Sequence, residues 1–363
     1  MSKDRNRETL HMRGARSFIQ GRFESVAREA FDDGWTPEER AQTELQTEVA
    51  IERARSIVSH NDSPDVGFDR SINPYRGCEH GCIYCYARPS HSYLELSPGL
   101  DFETKLFAKT NAAELLRETL ARPGYAPQPI ALGANTDCYQ PIERKFRITR
   151  QILEVLAECG HPVTLVTKSA LVERDLDILA PMAEKNLVKV FVSIGTLDRE
   201  LARKLEPRAA SPQRRLDVLK ALSKNRIPCG VLVAALIPAL NDKTLEHVLE
   251  SAAAAGAAEA AYVILRLPNE LKDLVKEWLA VHYPQRAEHV ISIVRQLRGG
   301  RDNDPRFGTR MSGTGNYAEL IEKRFDLACR RYGLNGHGAA RQPAELDCSR
   351  FRPPGRSGQM TLF

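Results

Sequence analysis

Three thiols carry the clearest chemical signal in the chain. Cys78, Cys82 and Cys85 fall in the spacing Cys-x3-Cys-x2-Cys within SINPYRGCEHGCIYCYARPSH, Ser71 to His91. Soft thiolates grouped this closely suit an iron–sulfur cluster or zinc. Gly77 and Gly81 each precede one of these cysteines, and glycine's access to positive φ lets a short loop curl around a bulky group. Three ligands are one short of the usual four, so the missing ligand decides the chemistry. For zinc, His80 or His91 would supply it. Zinc sites usually pair Cys-x2-Cys units or offer two histidines at helical spacing, and neither pattern is present.

The elements that must position this loop alternate between strand and helix. After the loop, Ala112 to Leu120 is helical and ARPGYAPQP is a breaker-rich connection. Ile130 to Leu132 begins a strand running into ANTDCYQP. Ile148, Ile152, Leu153, Leu156 and Cys159 form a helical stripe. Val163 to Thr167 reads as a strand, followed by the stripe Val172, Leu176, Leu179 and Met182. In Val188 to Ile194, Val188, Val190, Val192 and Ile194 share one face. A polar helical region (Arg199 to Lys224), a strand (Cys229 to Leu236), a helix (Thr244 to Ala255) and a strand (Ala261 to Leu267) complete the pattern. With a strand before the cysteine loop, about six β/α units result, which argues for an α/β fold with parallel strands. Six units fit a partial barrel or an open sheet, and in either the chemistry sits at the carboxyl ends of the strands. The cysteine loop, Thr136-Asp137, Lys168-Ser169 and Ser193 all fall there.

The flanks read differently. Arg13, Arg16 and Arg22 suggest a loose basic arm. A charged helix is expected from Pro37 to Ser59, with Thr36 as N-cap and Glu39 completing a capping box. Past Asn269 the chain looks helical, then passes through the basic loop RGGRDNDPRFGTRMSGTG (Arg298 to Gly315) into a helix from Asn316 to Tyr332. The last fifteen residues read as flexible. These shifts suggest an N-terminal extension (1–67), a core (68–268), a C-terminal helical and basic-loop segment (269–335) and a tail (336–363).

The whole chain of 363 residues carries 42% hydrophobic and 27% charged residues, an ordinary globular balance. Its N-terminus lacks the apolar core of an export signal, and no run is long enough to span a membrane. A cytoplasmic location is therefore expected, where clustered cysteines read as metal ligands before disulfides. The net charge of +5 is uneven: from Arg295 to Phe363 thirteen Lys or Arg face seven Asp or Glu. Such a region could hold nucleic-acid phosphates, or it could be a solvated surface.

The cysteine spacing, with Tyr84 before the last cysteine, resembles the radical S-adenosylmethionine (radical SAM) enzymes. That resemblance implies a (β/α)6 partial TIM-type barrel with the loop after its first strand. It implies a [4Fe-4S] cluster on Cys78, Cys82 and Cys85, whose fourth iron takes the amino and carboxylate groups of S-adenosylmethionine. An electron from an external one-electron reductant would then release a 5′-deoxyadenosyl radical. Within the superfamily the chain is similar to the spore photoproduct lyase group of DNA-repair-like proteins, from about Phe68 to Leu267. RGCEHGCIYCYAR, ANTDCYQPIE, VTKS, VSIGTLDRELARKLEPRAASP, IPALND and LRLP carry the likeness. It implies that Lys168 and Ser193 contact the S-adenosylmethionine carboxylate or ribose. Thr136 and Asp137 would sit by the methionyl amino group, Tyr84 by the adenine, and Arg208 would be a further carboxylate contact. Alternatives stand beside each role: Asp137 capping a helix, Ser193 satisfied by backbone, Lys168 solvated, and Arg208 paired with Glu206 or a helix end.

The likeness breaks at one place. In the register set by Asp137, the lyase's hydrogen-donor cysteine is replaced by Ala134. Cys138, four residues later, is a thiol candidate, and its alternative is a buried small hydrophobe. In the basic loop, Arg298, Arg301, Arg306 and Arg310 either grip phosphates or close a lid in which they pair with Asp302 and Asp304. The terminal QMTLF resembles the bacterial sliding-clamp-binding peptide, with Gln359, Leu362 and Phe363 as its anchors. The sequence reading is thus a radical SAM enzyme acting on DNA or RNA. Its rivals are a radical SAM enzyme acting on a protein or small molecule, and a non-enzymatic metal-binding adaptor of the clamp.

Overall fold

The computed structural model describes residues 13–24, 46–337 and 345–355. Among them ten strands form two sheets: β1 (Glu48–Glu52), β2 (Val58–His60), β3 (Arg70–Ile72), β4 (Tyr75–Arg76), β5 (Lys105–Lys109), β6 (Ile130–Leu132), β7 (Val163–Thr167), β8 (Val188–Ser193), β9 (Cys229–Leu236) and β10 (Glu259–Ile264). The larger sheet has the order β10-β9-β8-β7-β6-β3-β2. Its six strands from β3 to β10 pair parallel in chain order, and only β2 runs antiparallel at the edge. This is the six-unit pattern expected from the alternation. The smaller sheet, β1-β5-β4, stands beside the cysteine loop.

The longer helices are α1 (Ala112–Leu120), α2 (Ile148–Glu158), α3 (Leu176–Glu184), α4 (Arg199–Leu205), α5 (Pro212–Lys224), α6 (Leu245–Ala254), α7 (Leu271–His282), α8 (Pro284–Leu297) and α9 (Asn316–Tyr332). Sequential parallel strands need such crossovers, and helices over a sheet bury apolar side chains on its face. Val163, Leu165, Val188, Val190, Val192, Val231 and Val233 are all 0% exposed in the main core. Ser211 caps α5 by accepting from Arg214 N, and Pro212 opens that helix. The sixth strand lies earlier than its apolar run suggests. A register shift at Val263/Ile264 ends β10, and Leu265 N then bonds Leu236 O.

Three expectations about the flanks are corrected. The helix expected over Pro37–Ser59 is not formed in its described part. There the chain makes β1, parallel to β5, and β2, antiparallel to β3. Glu52 takes both Arg76 Nε and Nη2, at 2.8 and 2.9 Å, so pairing across sheets overrides local helix propensity. The basic arm is docked: Arg13 is buried, Gly14 N and Ala15 N donate to the Glu103 carboxylate at 2.9 and 2.7 Å, and Arg22 pairs with Glu270. The last fifteen residues begin packed, because the Phe351 ring lies 5.3 Å from Tyr125 and 5.5 Å from His161. Gln359, Leu362 and Phe363 lie outside the described residues. No helix among the described residues is long and apolar enough to cross a membrane.

Candidate functional site

The cysteine loop leaves β4 at the carboxyl edge of β3 and is fixed through its backbone. Gly77 and Gly81 have φ of 72° and 67°, the left-handed values that make the two bends. Cys78 N donates to Phe102 O at 2.9 Å and Ile83 N to Leu205 O at 3.0 Å. Gln140, wholly buried, accepts from Glu79 N and donates to Gly77 O, both at 3.0 Å. Arg88, also buried, donates to Cys82 O at 2.8 Å and Gly81 O at 3.1 Å and pairs with buried Glu103. The loop is thus held by its carbonyls and amides, and its thiols remain free.

Those thiols share one environment. Cys78 and Cys82 are each 7% exposed, and Cys78 packs with Ala87, Phe102 and Cys85. Burial pushes the Cys78 thiol up, and Asp137, Cys82 and Cys85 add to the shift. Burial also raises Cys82, to about 12, against the pull of Lys168. A cationic metal group would reverse this balance, because coordination deprotonates a thiol. Soft donors grouped on one loop fit an iron–sulfur group. Among the described residues the Nδ1 atoms of both histidines offered for zinc are buried without a hydrogen-bond partner. His91 Nε2 faces Lys105 O at 2.9 Å, and His80 Nδ1 lies 3.2 Å from Asp137 Oδ2, outside hydrogen-bond geometry. Among the described residues, no three His, Cys, Asp or Glu side chains converge on a single ion.

Behind the thiols the strand ends form a buried charged shelf. Asp137 Oδ1 accepts from Thr167 Oγ1 at 2.8 Å and Tyr139 N at 2.9 Å, while Oδ2 accepts from Lys168 N at 2.7 Å. Burial opposes its ionisation, but His80 and Lys168 hold the carboxyl well below the usual range. Thr136 Oγ1 donates to Tyr75 O at 2.8 Å. Lys168 Nζ lies 6.0 Å from the Tyr84 ring centre. Burial would lower its pKa, but Cys82, Glu206 and Asp137 overcome that and keep it charged. Ser193 Oγ donates to Ala234 O at 3.3 Å. Arg208 pairs with Glu79 at 3.1 Å. Cys138 belongs to the main core, with 0% exposure, and its Sγ is 4.0 Å from Leu132 O.

Sequence reasoning passed over three side chains of this shelf and named a fourth, Glu206, only as a partner for Arg208, which pairs with Glu79 instead. Glu206 accepts from the half-buried Tyr84 hydroxyl and pairs with Arg215, and Glu206 and Arg215 are both buried. Arg215 also donates to Ser193 O at 2.9 Å and Ala210 O at 2.8 Å. Asn241 ties β8 to β9 by donating to Gly195 O and Ala235 O, at 2.8 and 3.0 Å. Gln140 completes the set. ANTDCYQPIE, EPRAASP and IPALND contain Gln140, Glu206 and Asn241, but nothing in one sequence ranks Glu206 above Arg208.

A three-thiol loop at the carboxyl edge of six sequential parallel strands defines a class of α/β enzyme. The Radical SAM superfamily matches this chain over residues 72–252, and the chain belongs to that superfamily. Membership implies S-adenosylmethionine and an iron–sulfur cluster. An uncharacterized protein of Mycobacterium tuberculosis is 36% identical over 272 residues, 74% of this chain and 76% of the relative. One of Methanocaldococcus jannaschii is 26% identical over 205 residues, 56% of this chain and 74% of the relative. Among solved structures, spore photoproduct lyase complexed with dinucleoside spore photoproduct has a TM-score of 0.60 at 14% identity, covering 86% of this chain and 87% of its own. A point mutant of spore photoproduct lyase gives 0.59 at 15% identity, over 85% and 86%. The likeness to the lyase is one of fold.

Proposed function

We propose that this enzyme acts on nucleic acid, at a damaged or modified base, with a [4Fe-4S] cluster on Cys78, Cys82 and Cys85. When bound, the cluster and S-adenosylmethionine supply a 5′-deoxyadenosyl radical able to take a hydrogen atom. The chain's own residues orient and shield that chemistry. Lys168 stays charged beside the thiols and suits the S-adenosylmethionine carboxylate, and Tyr84 offers a ring near the adenine. The Ser193 hydroxyl has acceptor capacity left for the ribose. Asp137 and Thr136 act through the backbone they hold, since their oxygens are engaged by Thr167, Tyr139, Lys168 and Tyr75. Arg208 reaches a carboxylate only by leaving Glu79. Cys138, enclosed in the core, takes no part in this reading.

The observation that supports the reading most is the shared electrostatic environment of buried Cys78 and Cys82, half-buried Cys85 and Lys168 at the carboxyl edge of the sheet. The nucleic-acid substrate draws on the fold shared with a lyase solved with a dinucleoside photoproduct and on the basic C-terminal region. QMTLF would bring the enzyme to DNA through a sliding clamp. A second reading, a protein or small-molecule substrate under a lid, gains from the pairing of the basic loop's arginines within the protein. Arg306 is held by Asp304 and Arg310 by Asp65, while Arg298 donates to Leu265 O and Thr309 O.

Anaerobic reconstitution with iron, sulfide, S-adenosylmethionine and a reductant should yield 5′-deoxyadenosine. Nucleic acid co-purified anaerobically should contain the altered nucleotide. Cys82→Ala should lose iron and product, and truncation before Gln359 should lose only clamp binding. Zinc alone without product would remove the radical reading, and turnover on a peptide with none on DNA or RNA would favour the second.

A further inference from the structure

We propose that Arg266 seats a phosphodiester of the substrate strand at the mouth of the site. This deepens the nucleic-acid reading and rests on it. Arg266 lies two residues beyond the end of β10, on the edge that carries the cysteine loop, and Tyr86 stands within its electrostatic reach. Its side chain is half-buried, and its Nε is enclosed without a hydrogen-bond partner. Among the described residues Nη1 meets only the Met311 sulfur, at 3.7 Å, a weak acceptor. A guanidinium carries five donors and no acceptor, so desolvating it without an anion is unfavourable.

The neighbouring charges do not supply that anion. Asp65 is the acid nearest in effect, but its Oδ1 accepts from Gly308 N at 2.6 Å and its Oδ2 from Arg310 Nε. Among the described residues no carboxylate forms an ion pair with Arg266, whereas Arg306 and Arg310 of the basic loop both have one. Arg298 donates to Leu265 O at 3.1 Å and so fixes the residue before Arg266, adding a second positive charge nearby. Burial, then Arg310, draws the Arg266 pKa down, as expected of a cation awaiting its counter-ion. A planar guanidinium fork matches phosphate oxygens. Phe307, 55% exposed beneath Arg310 at 4.6 Å, offers a flat surface on which an adjoining base can stack.

The test uses the full-length protein and a short fluorescein-labelled single-stranded DNA, titrated by anisotropy over a salt series. Arg266→Gln should weaken binding about tenfold and reduce the salt slope by about one. Its melting temperature should match or exceed that of the native chain, since no protein carboxylate loses its partner. Arg266→Lys should restore part of the affinity, and it carries the test if the Gln variant fails to fold. An oligonucleotide with neutral methylphosphonate links should bind weakly and equally to native and variant protein. Calorimetry should find S-adenosylmethionine affinity unchanged. Equal affinity and slope for native and Gln variant would overturn the role of Arg266 while leaving the nucleic-acid reading intact. Loss of S-adenosylmethionine binding with unchanged DNA binding would assign the anion to the cofactor and also overturn it. No DNA binding by the native chain would overturn both.

Discussion

Glu206 is the residue on which the charged shelf turns. It is buried with Arg215, accepts from Tyr84, and stands within electrostatic reach of Lys168. Burial opposes its ionisation, but Arg215 and Lys168 hold its carboxyl below the usual range. Glu206→Gln would therefore leave two buried cations without their shared counter-charge, which typically costs about 3–5 kcal/mol. Urea unfolding should show that loss, and Arg215→Met in the same background should recover part of it. No loss in the single variant would mean that solvent already screens the pair. The sequence pointed to Lys168, Asp137 and Ser193 because strand ends mark themselves by an apolar run that stops. Glu206 and Arg215 had no such mark. Their pairing depends on a turn between α4 and α5 that folds a separation of 9 residues into contact.

Elements were legible where their own side chains decide their conformation. α9 spans the residues expected of it, and so does β9, because a helical stripe or a continuous apolar run is complete within the element. β1 and the segment 13–24 were not legible, because distant partners fix them: β5 for the one, Glu103 and Glu270 for the other. The segment also closes the back of the cysteine loop. A Cβ at Gly14 would lie 1.6 Å from Gly81 O, so no side chain fits between the two backbones. Gly14→Ala should push the segment off, expose Glu103 and Arg88 to water, and destabilise by roughly 1–3 kcal/mol. Amide exchange across Gly77–Ile83 should quicken, and iron bound after reconstitution should fall. Native exchange rates in this variant would show that the loop holds its shape without the arm.

At the scale of the whole molecule, a parallel sheet in chain order follows from alternating β and α signals, so the architecture was readable before its details. What ties the chain's later part to its core was not, because it depends on packing across long sequence distances. Residues 345–355 lie against the outer end of β7 through Phe351, His161 and Tyr125, and Arg352 N bonds Cys159 O at 2.8 Å. His161 sits at the centre of this contact: Tyr125 Oη is 2.8 Å from its Nε2, and Pro162 O is 3.0 Å from its Nδ1. Burial lowers its pKa to about 4, against the pull of Pro162 O, and burial likewise lowers His91 to about 4. In the unfolded chain both would titrate near ~6.5. The unfolded state therefore binds protons first. The stability these neutral rings contribute is complete above pH ~6.5 and is lost as pH falls toward 4, by at most about 3 kcal/mol each. The depressed carboxyls of Asp137 and Glu206 act in a lower window, below the ordinary carboxylate pKa of ~4. Urea midpoints should thus fall between neutrality and pH ~5, before the carboxylates protonate. His161→Asn should remove about half of that slope, while protease cleavage near Phe351 becomes pH-independent. An unchanged slope in this variant would place the acid sensitivity elsewhere and leave the C-terminal segment docked by its apolar contacts alone.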